Sequence, residues 1–364
     1  MKKILVIGQT PPPYGGQALM IKYMLDYNQN SIKYYHVRMM FSREMNERGR
    51  LSFYKIKHLV YLLSNIIYLK FKHKINIIYY PPSNSPKVSV YRDMIILIFT
   101  RFLFKKTIFH FHAAGISEEY DSFPRALKWF IYRSLRSPDL SISSSKYNPK
   151  DGEFLLSKRD VIVPLGIPEL IDRDFNKTFN SNLAILFMGL LNSTKGEGYL
   201  LEALNKLKRD GIEVNLNIAG KFETLEYEEK FFGKVKSYGL TNQVRYLGVI
   251  TGETKMKAFR ESDVFCFPSF FVSESFGIVL LEAMQFKLPI IATKWRGIQS
   301  VVKDSCNGFL VDIKNSDQIF EKIRKFHLNR DLLKEYGENS RAEYDNFYTL
   351  EEYMNTLNNE FLKI

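Results

Sequence analysis

A chain of 364 residues exceeds the size at which one hydrophobic core stays efficient, so two domains of ordinary size are expected. Apolar residues at 45% and charged residues at 25% lie near the averages of globular proteins, which excludes a disordered, collagen-like or coiled-coil chain. The net charge of +13 is lopsided: residues 1–170 hold 26 Lys+Arg against 12 Asp+Glu, residues 171–364 hold 26 against 27, so the whole excess is in the first half, whose surface is expected to seek phosphates.

In chain order, MKKILVIG sets two lysines before an apolar run of only five residues, with no small-residue cleavage site after it. It reads as a first buried strand. A loop with Pro11, Pro12, Pro13 and the pair Gly15-Gly16 follows, and QALMIKYMLDY has helical spacing. From Arg48 to Arg92 there is no acidic residue, while nine Lys or Arg alternate with Tyr, Phe, Ile and Leu. The best apolar stretches, His58 to Leu69 and Met94 to Phe104, fall short of the roughly 18–20 residues of a bilayer span. A soluble or peripheral protein is expected.

Short apolar runs at 75–80, 107–112, 140–143 and 161–166 alternate with helical stretches, the pattern of a doubly wound parallel sheet. Residues 168–182 are polar and turn-rich and read as a linker. A second α/β series then places strands at 184–189, 214–220, 244–248, 264–269, 289–293 and 308–311. The division expected is therefore an N-terminal Rossmann-like domain over 1–167, a linker over 168–182, and a second Rossmann-like domain over 183–345. Residues 346–364 are expected to form a helix that packs back on the first domain.

Cys266 and Cys306, the only cysteines, lack the spacing of a zinc site, so a reduced compartment and no metal cage are expected. Asp172 and Asp174 make one Asp-x-Asp, a spacing that can hold a divalent metal, but it falls in the linker and reads as a turn. The first loop lacks Gly-x-Gly-x-x-Gly, and no acidic strand end suits a dinucleotide ribose, so NAD is not expected. His110 and His112 lie on one face of a strand, His112 at its carboxyl end, where open α/β sheets bind ligands. By spacing alone they are as readily a packed strand end as a binding pair.

The most informative stretch is PSFFVSESFGIVLLEAMQFKLPIIAT, Pro268 to Thr293. A strand ends at Ser269, a loop follows, and Gly277 opens a helix that reads as amphipathic. The backbone N–H groups of Phe276, Gly277 and Ile278 then face a helix N-terminus, a good seat for a diphosphate. Glu274 precedes the helix and Glu282 lies within it, so one carboxylate can face a transferred sugar while the other bonds a ribose hydroxyl.

This stretch resembles the donor site of retaining GT-B glycosyltransferases of family 4, the type that builds bacterial surface polysaccharides, matching in order its PS, E, FG, LEAM, P and AT. The resemblance extends over nearly the whole chain. FMGLLNSTKGEGYLLEAL, 187–204, looks like the family's Lys-Gly segment, which implies that Lys195 neutralises the departing diphosphate. Leu190 stands where the family usually has an arginine, so a second phosphate-binding cation is missing or supplied from elsewhere. The resemblance further implies that Val249 offers its backbone to the nucleobase, that Gly16 closes over the donor phosphates, and that His112 touches the transferred sugar. Gly297 and Gly308 match family glycines, whereas Ser300 replaces a common glutamate.

The fold expected is α/β, GT-B, two facing Rossmann-like doubly wound domains with the reaction in their cleft. The function expected is retaining transfer of a sugar from a nucleotide-diphosphate sugar to a glycan or polyprenyl-diphosphate-linked acceptor. His112, Lys195 and Glu274 form its catalytic set, and Gly16, Lys195, Val249, Glu274, Phe276, Gly277, Ile278 and Glu282 its donor-binding set. No metal, no other cofactor and no nucleic acid are expected; an anionic membrane surface is, with the protein in the cytoplasm on the inner face of the cell membrane. The rivals are a GT-B UDP-sugar epimerase, whose elimination chemistry has no located groups here, and a non-catalytic basic membrane- or nucleic-acid-binding protein, which leaves the donor motif unexplained.

Overall fold

The computed structural model of the protein describes residues 1–28, 30–41, 53–172 and 175–364. Arg48, at the head of the acid-free stretch, and Asp174, the second carboxylate of the Asp-x-Asp, lie outside the described residues, as does the side chain of Lys55. The chain divides into two compact units, Met1–Leu165 with Leu350–Ile364, and Gly166–Thr349.

In the first unit β1 (Lys2–Gly8), β2 (Ile32–Arg38), β3 (Ile77–Tyr80), β4 (Lys106–Phe111), β5 (Leu140–Ser143) and β6 (Asp160–Ile162) form a parallel sheet in the order β2-β1-β3-β4-β5-β6. Helices α1 (Gly16–Asp26), α2 (Phe53–His73), α3 (Lys87–Thr100), α4 (Ile116–Glu119), α5 (Arg125–Leu135) and α6 (Asp151–Phe154) connect the strands. Central strands of such a sheet are covered on both faces and therefore read as unbroken apolar runs. Ile4 to Ile7 and Ile77 to Tyr80 are buried without alternation for this reason. Leu5, Ile7, Ile78, Phe109 and Phe111 meet Leu62 and Ile66 of α2 and Ile96 and Leu97 of α3 in one core.

Strand β2 was not among the runs expected from sequence. It is an edge strand, only Ile32 and Val37 of IKYYHVR are buried, and so the segment carries neither an apolar run nor a clean alternation.

The second unit repeats the plan. Strands β7 (Ala184–Met188), β8 (Asn215–Ala219), β9 (Val244–Gly248), β10 (Val264–Phe267), β11 (Ile290–Thr293) and β12 (Gly308–Val311) are parallel in the order β12-β11-β10-β7-β8-β9. Its helices are α7 (Glu197–Arg209), α8 (Leu225–Ser237), α9 (Gly252–Arg260), α10 (Ile278–Gln285), α11 (Ile298–Val301), α12 (Ser316–Leu328) and α13 (Asp331–Phe347). Residues 166–172 belong to this unit: the Leu170 N–H donates to Gln285 at 2.6 Å, and Arg341 holds the Glu169 carboxylate with two nitrogens at 2.8 Å each.

The last helix, α14 (Leu350–Leu362), joins the first unit. Tyr353, Met354, Leu357 and Phe361 are its buried stripe, and Tyr34 and Lys2 bond its Asn358 side chain and its Leu362 carbonyl.

Candidate functional site

In the second unit the carboxyl end of β10 runs into the loop 268–277. Neighbouring strand ends pin this loop. Thr293 Oγ1 donates to the Ser269 carbonyl, Trp295 Nε1 donates to the Phe271 carbonyl at 2.9 Å, and the Phe270 N–H donates to the Thr194 carbonyl at 2.8 Å. The loop ends at Gly277, whose φ of +82° is a conformation that residues with a Cβ seldom adopt, and α10 begins at Ile278. The backbone of Phe276, Gly277 and Ile278 thus stands at the start of an eight-residue helix. Phe276 contributes only backbone there, because its ring is buried edge-on to Tyr348 at 5.8 Å.

Helix α10 departs from the amphipathic reading: Leu280 to Gln285 are all buried, including Glu282 and Gln285. The helix is covered by α13 as well as by its own sheet, and Gln285 bonds the backbone at Pro168 and Leu170.

Lys195 reaches the same place from the end of β7. Asn192 Oδ1 accepts from the N–H groups of Thr194 at 3.0 Å and Lys195 at 3.1 Å, which winds the loop. Gly196, at φ +85°, lets the loop press on β10's continuation; a Cβ there would lie 2.1 Å from the Pro268 carbonyl oxygen. Lys195 Nζ consequently sits 2.6 Å from Glu274 Oε2 and 4.6 Å from the centre of the Phe271 ring. Ser269 Oγ donates to the same carboxylate oxygen at 3.3 Å. The two side chains are 13% and 12% exposed, enough for a ligand to reach and little enough that water does not screen the charges away.

Glu282 is paired in the same way, with Lys255 Nζ of α9 2.6 Å from its Oε1. Lys255 is a site residue that sequence reasoning missed, since nothing in GETKMKAFR sets it apart from Lys257. Glu197 was missed too. It opens α7 directly after Gly196 and is fully buried. Burial pushes its carboxyl up to about 7, against the opposing pull of the Tyr227 hydroxyl and the Lys195 charge.

Lys195, Glu274, Phe276, Gly277, Ile278 and Glu282 are therefore gathered around the carboxyl ends of β7 and β10, the side on which open α/β sheets bind ligands. Val249 follows Gly248 at the end of β9, an edge strand, with its side chain exposed. Leu190 is half-buried at the end of β7.

In the first unit Gly16 is the first residue of α1, preceded by Gly15 in extended backbone. His112 directly follows β4. Its ring stacks on that of His110 with centroids 4.0 Å apart, and the Tyr79 hydroxyl lies between them, 2.8 Å from His110 Nδ1 and 3.2 Å from His112 Nε2. Desolvation drives both imidazoles to the neutral form, His112 down to about 3 and His110 well below its usual range. The site expected from the sequence thus has a His that stays uncharged. Among the described residues no group of three or more His, Cys, Asp or Glu is placed to hold a metal ion, and no helix is long and apolar enough to cross a membrane.

Two parallel-sheet Rossmann-like domains of this kind are the architecture of the GT-B glycosyltransferases, and the structural neighbours are of that class. Sucrose-phosphate synthase from Thermosynechococcus elongatus superposes over 100% of this chain and 99% of its own with a TM-score of 0.75 at 16% identity. HepE of Anabaena, in complex with UDP and glucose, covers 100% of both chains with a TM-score of 0.71 at 17% identity. Residues 170–343, which make up most of the second unit, match the model of the family described as Glycosyl transferases group 1. A glycosyltransferase of Methanocaldococcus jannaschii is 36% identical over 135 residues, 37% of this chain and 33% of its own length. O-antigen chain mannosyltransferase C of Escherichia coli is 27% identical over 227 residues, 60% of this chain and 58% of its own. The chain thus spans between a third and three fifths of these two relatives.

Proposed function

We propose that the protein is a retaining glycosyltransferase of family 4 that moves a sugar from a nucleoside-diphosphate sugar to a glycan or polyprenyl-diphosphate-linked acceptor in cell-surface polysaccharide synthesis. The observation that carries this reading is the pair of lysine–carboxylate contacts around the Gly277 helix start, Lys195 with Glu274 and Lys255 with Glu282. Each ammonium holds a carboxylate in place, and each contact breaks to the benefit of a donor: the diphosphate takes Lys195, leaving Glu274 to the sugar, and a ribose hydroxyl takes Glu282. Lys195 then stabilises the charge that develops on the leaving diphosphate. Gly277 and its neighbours receive a phosphate on backbone N–H groups. His112 contacts the transferred sugar, Gly16 the phosphates, and the Val249 backbone the base. No side-chain nucleophile is assigned, and the lysine charge and helix dipole serve in place of a metal.

The relatives support the donor and the setting. HepE is a complex with UDP and glucose, and the mannosyltransferase of Escherichia coli acts on the O-antigen chain. The reading includes an anionic membrane on the cytoplasmic side as partner of the first unit, supported by the basic first half and by the outward face of α2, on which Ile56, Val60, Ile67 and Phe71 are exposed beside Lys57 and Lys72.

A panel of nucleoside diphosphates scored by melting temperature, in excess EDTA, tests the donor site. One diphosphate is expected to raise the melting temperature, since a ligand at about a hundred times its Kd adds roughly 2.7 kcal/mol to the folded state. Indifference to every member overturns the reading, and a response that requires added magnesium or manganese overturns its metal independence.

A further inference from the structure

Four large aromatic side chains of the first unit stand in water on elements that pack on one another. Phe99 lies in the last turn of α3, Phe102 in the short helical turn Arg101–Leu103 that follows it, and Trp129 and Phe130 on α5. Phe102 and Trp129 are 75% and 63% exposed, and Phe99 and Phe130 are exposed as well. Arg101 ties its turn to the end of α5 by donating to the carbonyls of Ser134 and Ser137, at 2.9 Å each. The core does not need these four rings, because Ile96 and Leu97 of α3 and Ile131 and Leu135 of α5 already cover the sheet. We propose that the outer face of α3 and α5 is a membrane-insertion site, at which Phe99, Phe102, Trp129 and Phe130 enter the interfacial layer of an anionic bilayer.

The charge beside the rings identifies the occupant. Single exposed apolar side chains are ordinary on a protein surface, whereas four large rings on adjoining elements mark an interaction site. Neither Met94 to Lys106 nor Arg125 to Arg136 contains an acidic residue. Lys105, Arg125, Arg133 and Arg136 are exposed there, and none of them is in an ion pair among the described residues. The carboxylates that flank these segments are already taken, Asp121 by Lys128 and Asp139 by Lys106 and Lys158. The interface of a bilayer favours aromatic rings, and its negative surface attracts the lysine and arginine beside them. A second copy of the same face would set these cations against their own like, which disfavours self-association.

The inference rests on the proposed membrane partner of the first unit and extends it, from attraction at α2 to apolar insertion at α3 and α5. It also sets an orientation. Leu62 and Ile66 of α2 share one core with the buried residues of α3 and α5, so the three helices form one layer over one face of the sheet. Helices that cross over between parallel strands run along them, so a bilayer that touches this layer lies roughly parallel to the strands. The carboxyl end of β4, where His112 follows, then opens along the membrane surface and not away from it.

The test is tryptophan fluorescence of the full chain with vesicles of phosphatidylglycerol and phosphatidylcholine at low salt, with and without bromine on the acyl chains. Trp129 and Trp295 are the only tryptophans, and Trp295 belongs to the second unit with its indole bonded to the Phe271 carbonyl. The difference between the emission of the parent and that of Trp129→Phe therefore isolates Trp129. Its emission is expected to shift to the blue on binding and to be quenched by the bromine. Phe102→Ser is expected to weaken vesicle binding by roughly tenfold, with the melting temperature of the parent, because its ring leaves no core contact behind. Vesicles that sediment the protein while Trp129 neither shifts nor is quenched overturn the insertion site and leave docking through α2 standing. Protein that ignores the vesicles overturns both. A dimer that forms without lipid and dissolves on Trp129→Ser, seen by sedimentation equilibrium, overturns the site in favour of a protein partner.

Discussion

Glu274 and Glu282 lie on one loop and helix and carry the same kind of partner, yet their expected roles differ. Glu274 pairs with Lys195, and in the proposed reaction that lysine passes to the departing diphosphate, so Glu274→Gln is expected to lower kcat by roughly a hundredfold with little change in nucleotide affinity, the size of effect found when one group aligned to a reacting centre is removed. Glu282 lies inside α10 and holds Lys255, and Glu282→Gln is expected to weaken nucleotide binding by about tenfold, the equivalent of one charge-assisted hydrogen bond. Steady-state kinetics with nucleotide titrations separate the two, and wild-type behaviour in both would remove these residues from the site. Glu197 makes a prediction about stability. Its carboxyl is pushed up to about 7 in the fold from an ordinary 4.5, so between these values the folded chain binds the extra proton and stability falls as pH rises. Glu197→Gln removes that titration. Denaturant unfolding is expected to find the variant the more stable by about 3 kcal/mol at pH 8, at roughly 1.4 kcal/mol per pKa unit, with the advantage shrinking toward pH 5. A difference independent of pH would show that Glu197 is ionised throughout.

At the scale of elements, α2 separates two uses of apolar residues. Leu62 and Ile66 face the core, while Ile56, Val60, Ile67 and Phe71, at i, i+4, i+11 and i+15, make one outward stripe with Tyr61, Tyr68, Lys57 and Lys72 beside it. The amino-acid pattern announced a basic, acid-free stretch but not which face was spare, because apolar residues surround the whole helix and only the packing tells them apart. Lys70 is turned to the Asn76 side chain at 3.1 Å, so Lys57, Lys72 and Lys74 are the better choices for charge reversal. Their replacement by glutamate is expected to reduce sedimentation with anionic vesicles at least tenfold, given about 1 kcal/mol per lysine near such a surface, and Phe71→Ser to reduce it without altering its salt dependence. Wild-type protein that ignores anionic vesicles at low salt would end the membrane reading. The same limit explains what else was and was not legible. Central strands such as β1 and β7 declare themselves by unbroken apolar runs, and the Pro268 to Thr293 motif sits where its order implied. Edge strand β2, the full burial of α10, and the partners Lys255 and Tyr79 depend on neighbours remote in the chain. No local spacing encodes them.

The whole molecule is two units of similar plan, and only one of them is continuous in sequence. The second runs from Gly166 to Thr349 without interruption, whereas the first needs Leu350–Ile364 to complete it. Burying Tyr353, Met354, Leu357 and Phe361 contributes on the order of 6–12 kcal/mol at 1.5–3 kcal/mol per large side chain, comparable with the whole stability of a domain. A chain ending at Thr349 is therefore expected to lose the cooperative unfolding of the first unit while the second still unfolds as a unit and still responds to its nucleoside diphosphate. Two transitions in the full chain and one in the shortened chain, by calorimetry, would bear this out; two in both would refute it. The same connectivity sets an order of events during synthesis. The strands that leave the ribosome first must wait, with the apolar surface meant for α14 uncovered, until the entire second unit and then Phe361 have emerged. The second unit is thus the first able to finish folding, and the first unit is the one whose apolar surface stays uncovered in the interval.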